Sequence, residues 1–477
     1  MKDRIRHIHF IGIGGTGMCG IAEVLHNLGY QVTGSDTQIG AAAQHLQAIG
    51  VKVFEGHAGR NIQGAEVVVT STAIAPSNPE WIRAVASNIP VIPRAMMLAE
   101  LMRFKRGIAV AGTHGKTTTT SMLASILDVG KFDPTYVIGG RLNSVAANAK
   151  LGKGEFLVAE ADESDASFLY LNPLFSIVTN IDEDHMQTYD FSVEKLRQTF
   201  IDFIHRLPFY GRSFLCLESS HVRSILPHIQ KPYSTYGLTN KADIFASQIQ
   251  SIGAKMSFMV NIKRRNEYLK FPVVLNFPGL HNVLNALGAI GVALECKTDI
   301  AAIQEGLARF EGVGRRFQSY GEIQLTQSSG KAMVIDDYGH HPTEIRSTLT
   351  AIRGAFGNRR LVLVFQPHRY TRTRDLFESF IQVLQLANVV VLTEVYAAGE
   401  APILSASGRA LADALGECSN IEIIYQPELD QIASTLLQLV QDQDLIITMG
   451  AGTINRIAPQ LMALSQVGEE AACALKR

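Results

Sequence analysis

Nowhere in the 477 residues do about 18 apolar residues run together, so the sequence offers no membrane-spanning helix. Cysteine is scarce as well. Cys19, Cys216, Cys296, Cys418 and Cys473 are odd in number, widely scattered and form no Cys-x-x-Cys pair. That argues against a disulfide framework or a zinc knuckle and fits a reducing cytoplasm. Neither sign of charge is in excess: 43 Lys and Arg face 44 Asp and Glu, a formal net charge of -1. No overall basic field is available for nucleic acid or an acidic membrane, although local clusters can still bind small anions. There is no excess of Gly or Pro, no low-complexity linker and no repeat of fixed period. The opening "IRHIHFIGIGG" lacks the uninterrupted apolar core of a secretory signal and reads as a strand entering a glycine turn.

What is present is 47% apolar and 18% charged sequence, the balance of a globular protein. At this length one core is too few, and about three domains are expected. Short Val/Ile/Leu runs ending in Gly or polar clusters alternate with helix-length segments. "IHFIGIGG", "AEVVVTSTA", "GIAVAGTHG", "FLVAEADESD" and "FSIVTNIDEDH" do so early, and "AMVIDDYGHH", "LVLVFQPHR", "VVVLTEVYA" and "DLIITMGAG" do so late. This alternation predicts an α/β class with parallel sheets covered on both faces. In such sheets ligands bind beyond the carboxyl ends of strands. Two seams, "MRFKRG" (Met102 to Gly107) and "FEGVGRRF" (Phe310 to Phe317), divide the chain into 1–106, 107–314 and 315–477.

"AVAGTHGKTTTT", Ala109 to Thr120, resembles a P-loop with altered spacing: Gly115, Lys116 and Thr117 are in place, but the first glycine comes two residues late, at Gly112. Backbone N–H groups of Gly112, Thr113, His114 and Gly115 at a helix start suit phosphate oxygens, and Lys116 can reach the β/γ phosphates. The Thr117 hydroxyl can bind Mg²⁺. Four successive threonines open a helix poorly, a local cost that fits a site better than a scaffold. Met122, Leu123, Ile126 and Leu127 mark that helix's apolar face.

"GIGGTG" places Gly12, Gly14 and Gly17 as G-x-G-x-x-G, with Asp36 near the distance of a ribose-binding acid. The pattern encodes only a backbone on which a pyrophosphate can sit, so a nicotinamide cofactor, another nucleotide diphosphate and plain packing all remain open. Glu160, Asp162, Glu163 and Asp165 follow one strand, and Asn180, Asp182, Asp184 and His185 follow another. Glu160, first polar residue off its strand, is the expected Mg²⁺ ligand, and His185 is a candidate ligand or polarising group. A solvated loop is expected for most of the other acids. Asn282 and Asn285, three apart on a helix, read either as caps or as a grip on an adenine edge. Late in the chain, Asp337, Tyr338, His340 and His341 follow one strand and His368, Arg369, Arg372 and Arg374 another. Arg369 and Arg372 suit a carboxylate or phosphate.

With these residues in view, the chain resembles the Mur ligase family over essentially its whole length. "HFIGIGGTGMCGIAE", "AGTHGKTTTT", "AEADESDASF", "TNIDEDHM", "PGLHNVLNA", "GVGRRF", "DDYGHHPTE" and "QPHRYTRTRD" carry the resemblance, in that order. It implies an N-terminal Rossmann-like domain for a UDP-sugar, a central P-loop ATPase domain with a parallel sheet, and a C-terminal Rossmann-like domain that brings the amino acid. The motifs look most like the branch that joins L-alanine to the lactyl carboxylate of UDP-N-acetylmuramate through an acyl phosphate, using ATP and Mg²⁺, with Mn²⁺ as a substitute. By the same resemblance Gly12, Gly14, Gly15, Gly17, Ser35 and Asp36 hold the sugar nucleotide. Gly112 to Thr118 form the ATP loop, with Asn282, Asn285 and Arg316 also near ATP. Thr117, Glu160 and His185 match magnesium positions. Asp337, Tyr338, His368, Arg369 and Arg372 face γ-phosphate and alanine. Lys116, His185, His368, Arg369 and Arg372 are the expected catalytic groups.

A cytoplasmic enzyme, monomeric or weakly dimeric, without nucleic-acid or membrane partners, is expected. Competing readings are a recycling ligase that attaches a murein tripeptide, a nicotinamide oxidoreductase built on "GIGGTG", and a nucleotide-gated binding protein.

Overall fold

The computed structural model describes residues 1, 4–142, 147–263, 268–325 and 330–474. The chain forms two compact units. One comprises Met1–Gln250, Ser257–Asn276 and His281–Glu311, the other Ser251–Met256, Phe277–Leu280 and Gly312–Arg477.

The first unit opens with a five-stranded parallel sheet. Its strands are β1 (His7–Ile11), β2 (Gln31–Asp36), β3 (Lys52–Glu55), β4 (Val67–Thr70) and β5 (Val91–Pro93), in the order β3-β2-β1-β4-β5. Alternation in β1 sends Ile8 and Phe10 into a core with Met18, Ile21, Ala22 and Leu25 of the helix Thr16–Asn27. His7 and His9 take the opposite face. A ten-stranded sheet follows: β6 (Arg106–Ala111), β7 (Thr135–Leu142), β8 (Ala147–Lys150), β9 (Phe156–Glu160), β10 (Phe175–Val178), β11 (Arg212–Cys216), β12 (Tyr233–Gly237), β13 (Ile244–Ile252), β14 (Lys255–Lys263) and β15 (Tyr268–Leu275). Their order is β15-β14-β13-β12-β11-β10-β6-β9-β7-β8.

The sheet is parallel from β12 through β11, β10, β6 and β9 to β7, but β8 runs antiparallel to β7. The parallel central sheet that the sequence implies thus carries an antiparallel edge pair. Only residues 143–146 separate β7 from β8, too few for a crossover, so the pair must run antiparallel. Met122, Leu123, Ile126 and Leu127 are fully buried on the helix Lys116–Val129, as their spacing predicts, but Thr119, Thr120 and Ser121 are fully buried too. Protein covers this helix on more than its apolar stripe.

The second unit carries six strands: β16 (Gln318–Gln324), β17 (Lys331–Asp337), β18 (Leu361–Phe365), β19 (Val389–Leu392), β20 (Glu422–Tyr425) and β21 (Leu445–Met449), ordered β16-β17-β21-β18-β19-β20. All neighbours are parallel except β16, an antiparallel edge strand. The continuous apolar runs of β18, β19 and β21 are buried throughout, as strands covered on both faces require. No helix among the described residues is long and apolar enough to cross a membrane.

Candidate active site

Only residues 112–115 join the end of β6 to the helix Lys116–Val129. Gly112 and Gly115 take φ of +132° and +82°, which L side chains rarely adopt. The late first glycine thus makes the tight turn that the odd spacing implied. The end of β10 clasps this loop. His114 N donates to Asn180 Oδ1 (2.9 Å), Asn180 Nδ2 to His114 O (3.0 Å), Thr179 Oγ1 to His114 O (2.6 Å) and Asp182 N to Thr113 Oγ1 (2.8 Å). Every clasp leaves the loop's shape fixed before a ligand arrives.

Lys116 Nζ folds over its own loop, donating to Gly112 O (2.7 Å), Thr113 O (3.1 Å) and Glu163 Oε2 (2.7 Å). Burial works against the ammonium, but the carboxylates of Glu163, Asp162 and Glu160 outweigh it and raise its pKa. Glu163 is only 3% exposed, and burial pushes its carboxyl up to about 7 despite Lys116. Glu160 closes β9 opposite Val110 of β6, and its Oε1 accepts from Gly139 N at 2.6 Å. Asp162 pairs with Arg94 at 2.9 Å. His185, at φ +53°, has its backbone N on Asp184 Oδ1 (2.9 Å). Asn282 and Asn285 lie inside the helix Leu280–Glu295 and are 2% and 7% exposed, so they are not caps. Asn285 Nδ2 donates to Asn282 Oδ1 (3.1 Å), and a Cβ on Gly115 would come within 2.6 Å of Asn285 Oδ1. The asparagine pair therefore abuts the lysine-bearing turn.

The other glycine turn sits at the carboxyl end of β1. Gly12, at φ +76°, and Ile13 donate through their N–H groups to Ser35 O (2.8 and 3.0 Å), and Gly14 N donates to Asp36 Oδ2 (2.8 Å). Asp36 thus braces the turn directly. Gly17 lies so close to Arg94 that an added Cβ would stand 2.0 Å from its Nη1. Gly15 precedes the helix in extended backbone.

In the second unit, Asp337 ends β17 and accepts from Phe317 N (2.8 Å) and Gly339 N (2.7 Å). Arg315 and Arg316 lie over the Tyr338 ring, 4.9 and 5.1 Å from its centroid, and Arg316 Nη1 reaches Glu344 Oε1 at 3.2 Å. His368 stacks on Tyr396 with centroids 5.4 Å apart, and the His340 ring is 5.7 Å from it. Burial drives the His340 imidazole down to about 3. Arg369, exposed at φ +68°, precedes the short helix Tyr370–Asp375, whereas Arg372 within it is buried. The two guanidiniums sit in different environments despite their helical spacing.

The first unit thus holds a lysine-bearing turn beside an oxygen-rich strand end, and the second holds an Arg/His cluster of its own; comparison with known proteins sets the family. Residues 7–106 match the model described as "Mur ligase family, catalytic domain", 110–293 the "Mur ligase middle domain" and 315–452 the "Mur ligase, glutamate ligase domain". The chain belongs to the Mur ligase family. This Mur ligase is 60% identical over 467 residues to UDP-N-acetylmuramate--L-alanine ligase of Neisseria meningitidis serogroup B, covering 98% of this chain and 99% of that one. Its likeness to the protein of the same name from Chromobacterium violaceum is 56% over 465 residues, 98% and 100% of the two chains. Among solved structures, UDP-N-acetylmuramate-alanine ligase MurC from Thermotoga maritima matches with a TM-score of 0.81 at 30% identity, covering 97% of this chain and 99% of that one. A murein peptide ligase from Psychrobacter arcticus gives 0.70 at 25%, covering 96% and 98%.

The fold gives several residues of this Mur ligase partners that their local sequence does not announce. Glu163 was expected, with Asp162 and Asp182, in a solvated loop. Instead Glu163 is buried on Lys116, Asp162 is paired to Arg94, and Asp182 N–H holds Thr113. Arg94 carries no local signal at all, because its partner Asp162 lies 68 residues away.

Asp337 yields a pH prediction. Burial pushes its carboxyl from an ordinary 3.8 up to about 6, so the native state holds this proton more tightly than the unfolded chain. Its ionisation therefore costs stability, and that cost appears as pH rises from about 4 through 6. Asp337→Asn removes it. The melting temperature of the variant relative to the parent should climb between about pH 4 and pH 7, and thermal unfolding across that range tests the trend.

Proposed function

We propose that this Mur ligase joins L-alanine to the lactyl carboxylate of UDP-N-acetylmuramate, converting ATP to ADP and phosphate, as a step of peptidoglycan synthesis. The lysine-bearing turn carries the reading, set in a chain that aligns end to end with relatives bearing that name. Residues 1–106 take the sugar nucleotide, 107–314 take ATP and 315–477 bring the amino acid.

A carboxylate is a poor electrophile because its leaving group would be oxide. Transfer of the γ-phosphoryl group to the lactyl carboxylate makes an acyl phosphate, from which phosphate can leave. Lys116 neutralises charge developing on the phosphoryl oxygens, and the clasped loop 112–115 presents the start of the helix Lys116–Val129 to the phosphates. Asn282, Asn285 and Arg316 serve ATP, while Gly12, Gly14, Gly15, Gly17, Ser35 and Asp36 serve the sugar nucleotide. The amine of L-alanine attacks the acyl carbon, the bond to phosphate breaks, and the amine's proton passes to an imidazole, for which His185 and His368 are the candidates. Arg369 and Arg372, whose guanidiniums suit bidentate pairing, serve the γ-phosphate and the alanine carboxylate, as do Asp337 and Tyr338. Thr117 hydroxyl and Glu160 carboxylate are hard oxygen donors of the kind Mg²⁺ takes, and Glu160 ends a strand adjacent to the loop, so with His185 they would hold it. When bound, the ion offsets negative charge on the phosphates, and Mn²⁺ suits the same oxygens. The free cysteines Cys19, Cys216, Cys296 and Cys418 accord with a cytoplasmic setting, and a monomer or weak homodimer suffices for the chemistry.

Phosphate release should require UDP-N-acetylmuramate and L-alanine together, and fall to background when either is omitted. A murein tripeptide that replaces alanine efficiently would instead favour the recycling reaction.

A further inference from the structure

Glu80 lies in the helix Pro79–Ala86 and is fully buried under the first sheet. Its Oε2 accepts from Ser35 Oγ (2.5 Å) and His9 Nε2 (3.2 Å), and its Oε1 from Asn61 Nδ2 (2.7 Å) and Ala58 N (3.1 Å). Four donors fill the capacity of one carboxylate. Ser35 Oγ spends its proton on Glu80, so its lone pair accepts from His57 Nδ1 at 2.9 Å. Burial alone would raise the Glu80 carboxyl, but the bonds from His9, Ser35 and Asn61 outweigh it and hold the carboxyl below its usual range. It remains an acceptor on both oxygens.

One of these partners holds the first glycine turn. Ser35 is the residue whose carbonyl binds Gly12 N and Ile13 N, and neighbouring Asp36 binds Gly14 N with its side chain and Gly56 N with its carbonyl (2.7 Å). Ala58 and Asn61 belong to the segment that leaves β3. One buried carboxylate thus ties the end of β2, and through it the turn, to residues 56–61. The network is not sealed in a core: a cavity of about 750 Å³ runs along it, lined by Thr33, Phe54, His57, Ala58, Arg60 and Asn61 among others.

We propose that Glu80 is a positioning residue of the first nucleotide site, holding Ser35 and the 56–61 segment in the register that binds the sugar nucleotide. This rests on the reading that the glycine turn takes the UDP moiety.

Glu80→Gln tests it, because an amide NH₂ cannot accept and one donor pair must lose its partner. The KM for UDP-N-acetylmuramate should rise roughly tenfold, on the scale of a lost hydrogen bond to a charged group. The KM for ATP and kcat at saturation should stay within about threefold of the parent. Calorimetric titration with UDP should show the same rise in dissociation constant. Asn61→Ala, which removes one of the four donors to Glu80 together with the bond from Asn61 Nδ2 to Gly56 O (3.2 Å), should shift both in the same direction by less, and it carries the test if Glu80→Gln does not fold. A merely structural role would lower the melting temperature and leave the KM of the folded fraction alone. Unchanged UDP affinity in folded variants, or an equal rise in the KM for ATP, overturns the proposal. If the parent itself fails to bind UDP, the reading of the turn falls instead.

Discussion

Lys116→Ala lowers turnover by roughly 10²–10³-fold, the scale for losing one preorganised group that stabilises developing charge. The Lys116 ammonium is already anchored. It is tied to two carbonyls of its own loop and to Glu163, so its position is set before ATP arrives. Little reorganisation is then needed when phosphoryl charge develops. The substitution has a second consequence, because it leaves Glu163 buried without its cation. An unpaired buried charge can cost about 3–5 kcal/mol, but a carboxyl already at about 7 escapes much of that by taking up a proton. Lys116→Ala should therefore fold with only a moderate loss of melting temperature. The double variant Lys116→Ala/Glu163→Gln should regain stability without regaining turnover. Single-turnover phosphate release and thermal unfolding separate the two effects. Near-normal ligation by Lys116→Ala refutes the role given to the lysine.

Much of this arrangement was readable in the chain because local chemistry writes it locally. β18, β19 and β21 announce themselves as uninterrupted Val, Leu and Ile, and the Gly112/Gly115 pair announces a turn that only glycine makes easily. The carboxyl-end rule brought Glu160 to notice for the same reason, since it is the first polar residue after a buried run. Distinguishing it from Glu163, three residues on, was beyond any periodicity. Which acid faces the lysine depends on how the segment after β9 folds back, and that depends on contacts such as Asp162 with Arg94, 68 residues away. Glu80 is harder still. Its partners His9, Ser35 and Asn61 lie 71, 45 and 19 residues distant, and a glutamate two residues into a helix looks locally like an ordinary favourable first-turn acid. The antiparallel β8 was missed because an edge strand of Ala, Asn and Lys has no apolar run to advertise it.

Gly112→Ala should be nearly as damaging to catalysis as loss of the lysine, by a route that involves no reacting group. At φ +132° a side chain is strained wherever it points, and here it has nowhere to go. Its Cβ would stand 2.0 Å from Thr179 Oγ1, 2.9 Å from Asn180 O and 3.0 Å from Asn180 N. Thr179 cannot swing aside cheaply, because its hydroxyl holds His114 O and lies 3.3 Å from Ala111 O. Asn180 cannot retreat either, because its side chain clasps His114 on both backbone groups. Backbone strain of about 1–3 kcal/mol and overpacking of a similar size together make roughly 2–6 kcal/mol, a large fraction of a typical folding free energy. The cheapest escape is to open the clasp between the loop and the end of β10, which displaces Lys116 and the helix start that would hold phosphate. The KM for ATP should rise at least tenfold and ATP-dependent ligation should fall to about 1% or less, the cost expected when reacting groups are misplaced by about an ångström. Thr179→Ala added to Gly112→Ala removes the nearest clash but neither the Asn180 contacts nor the backbone strain. It should recover part of the melting temperature and little of the ATP affinity. A Gly112→Ala protein with the parent's ATP affinity and melting temperature would mean that the turn does not set the nucleotide site.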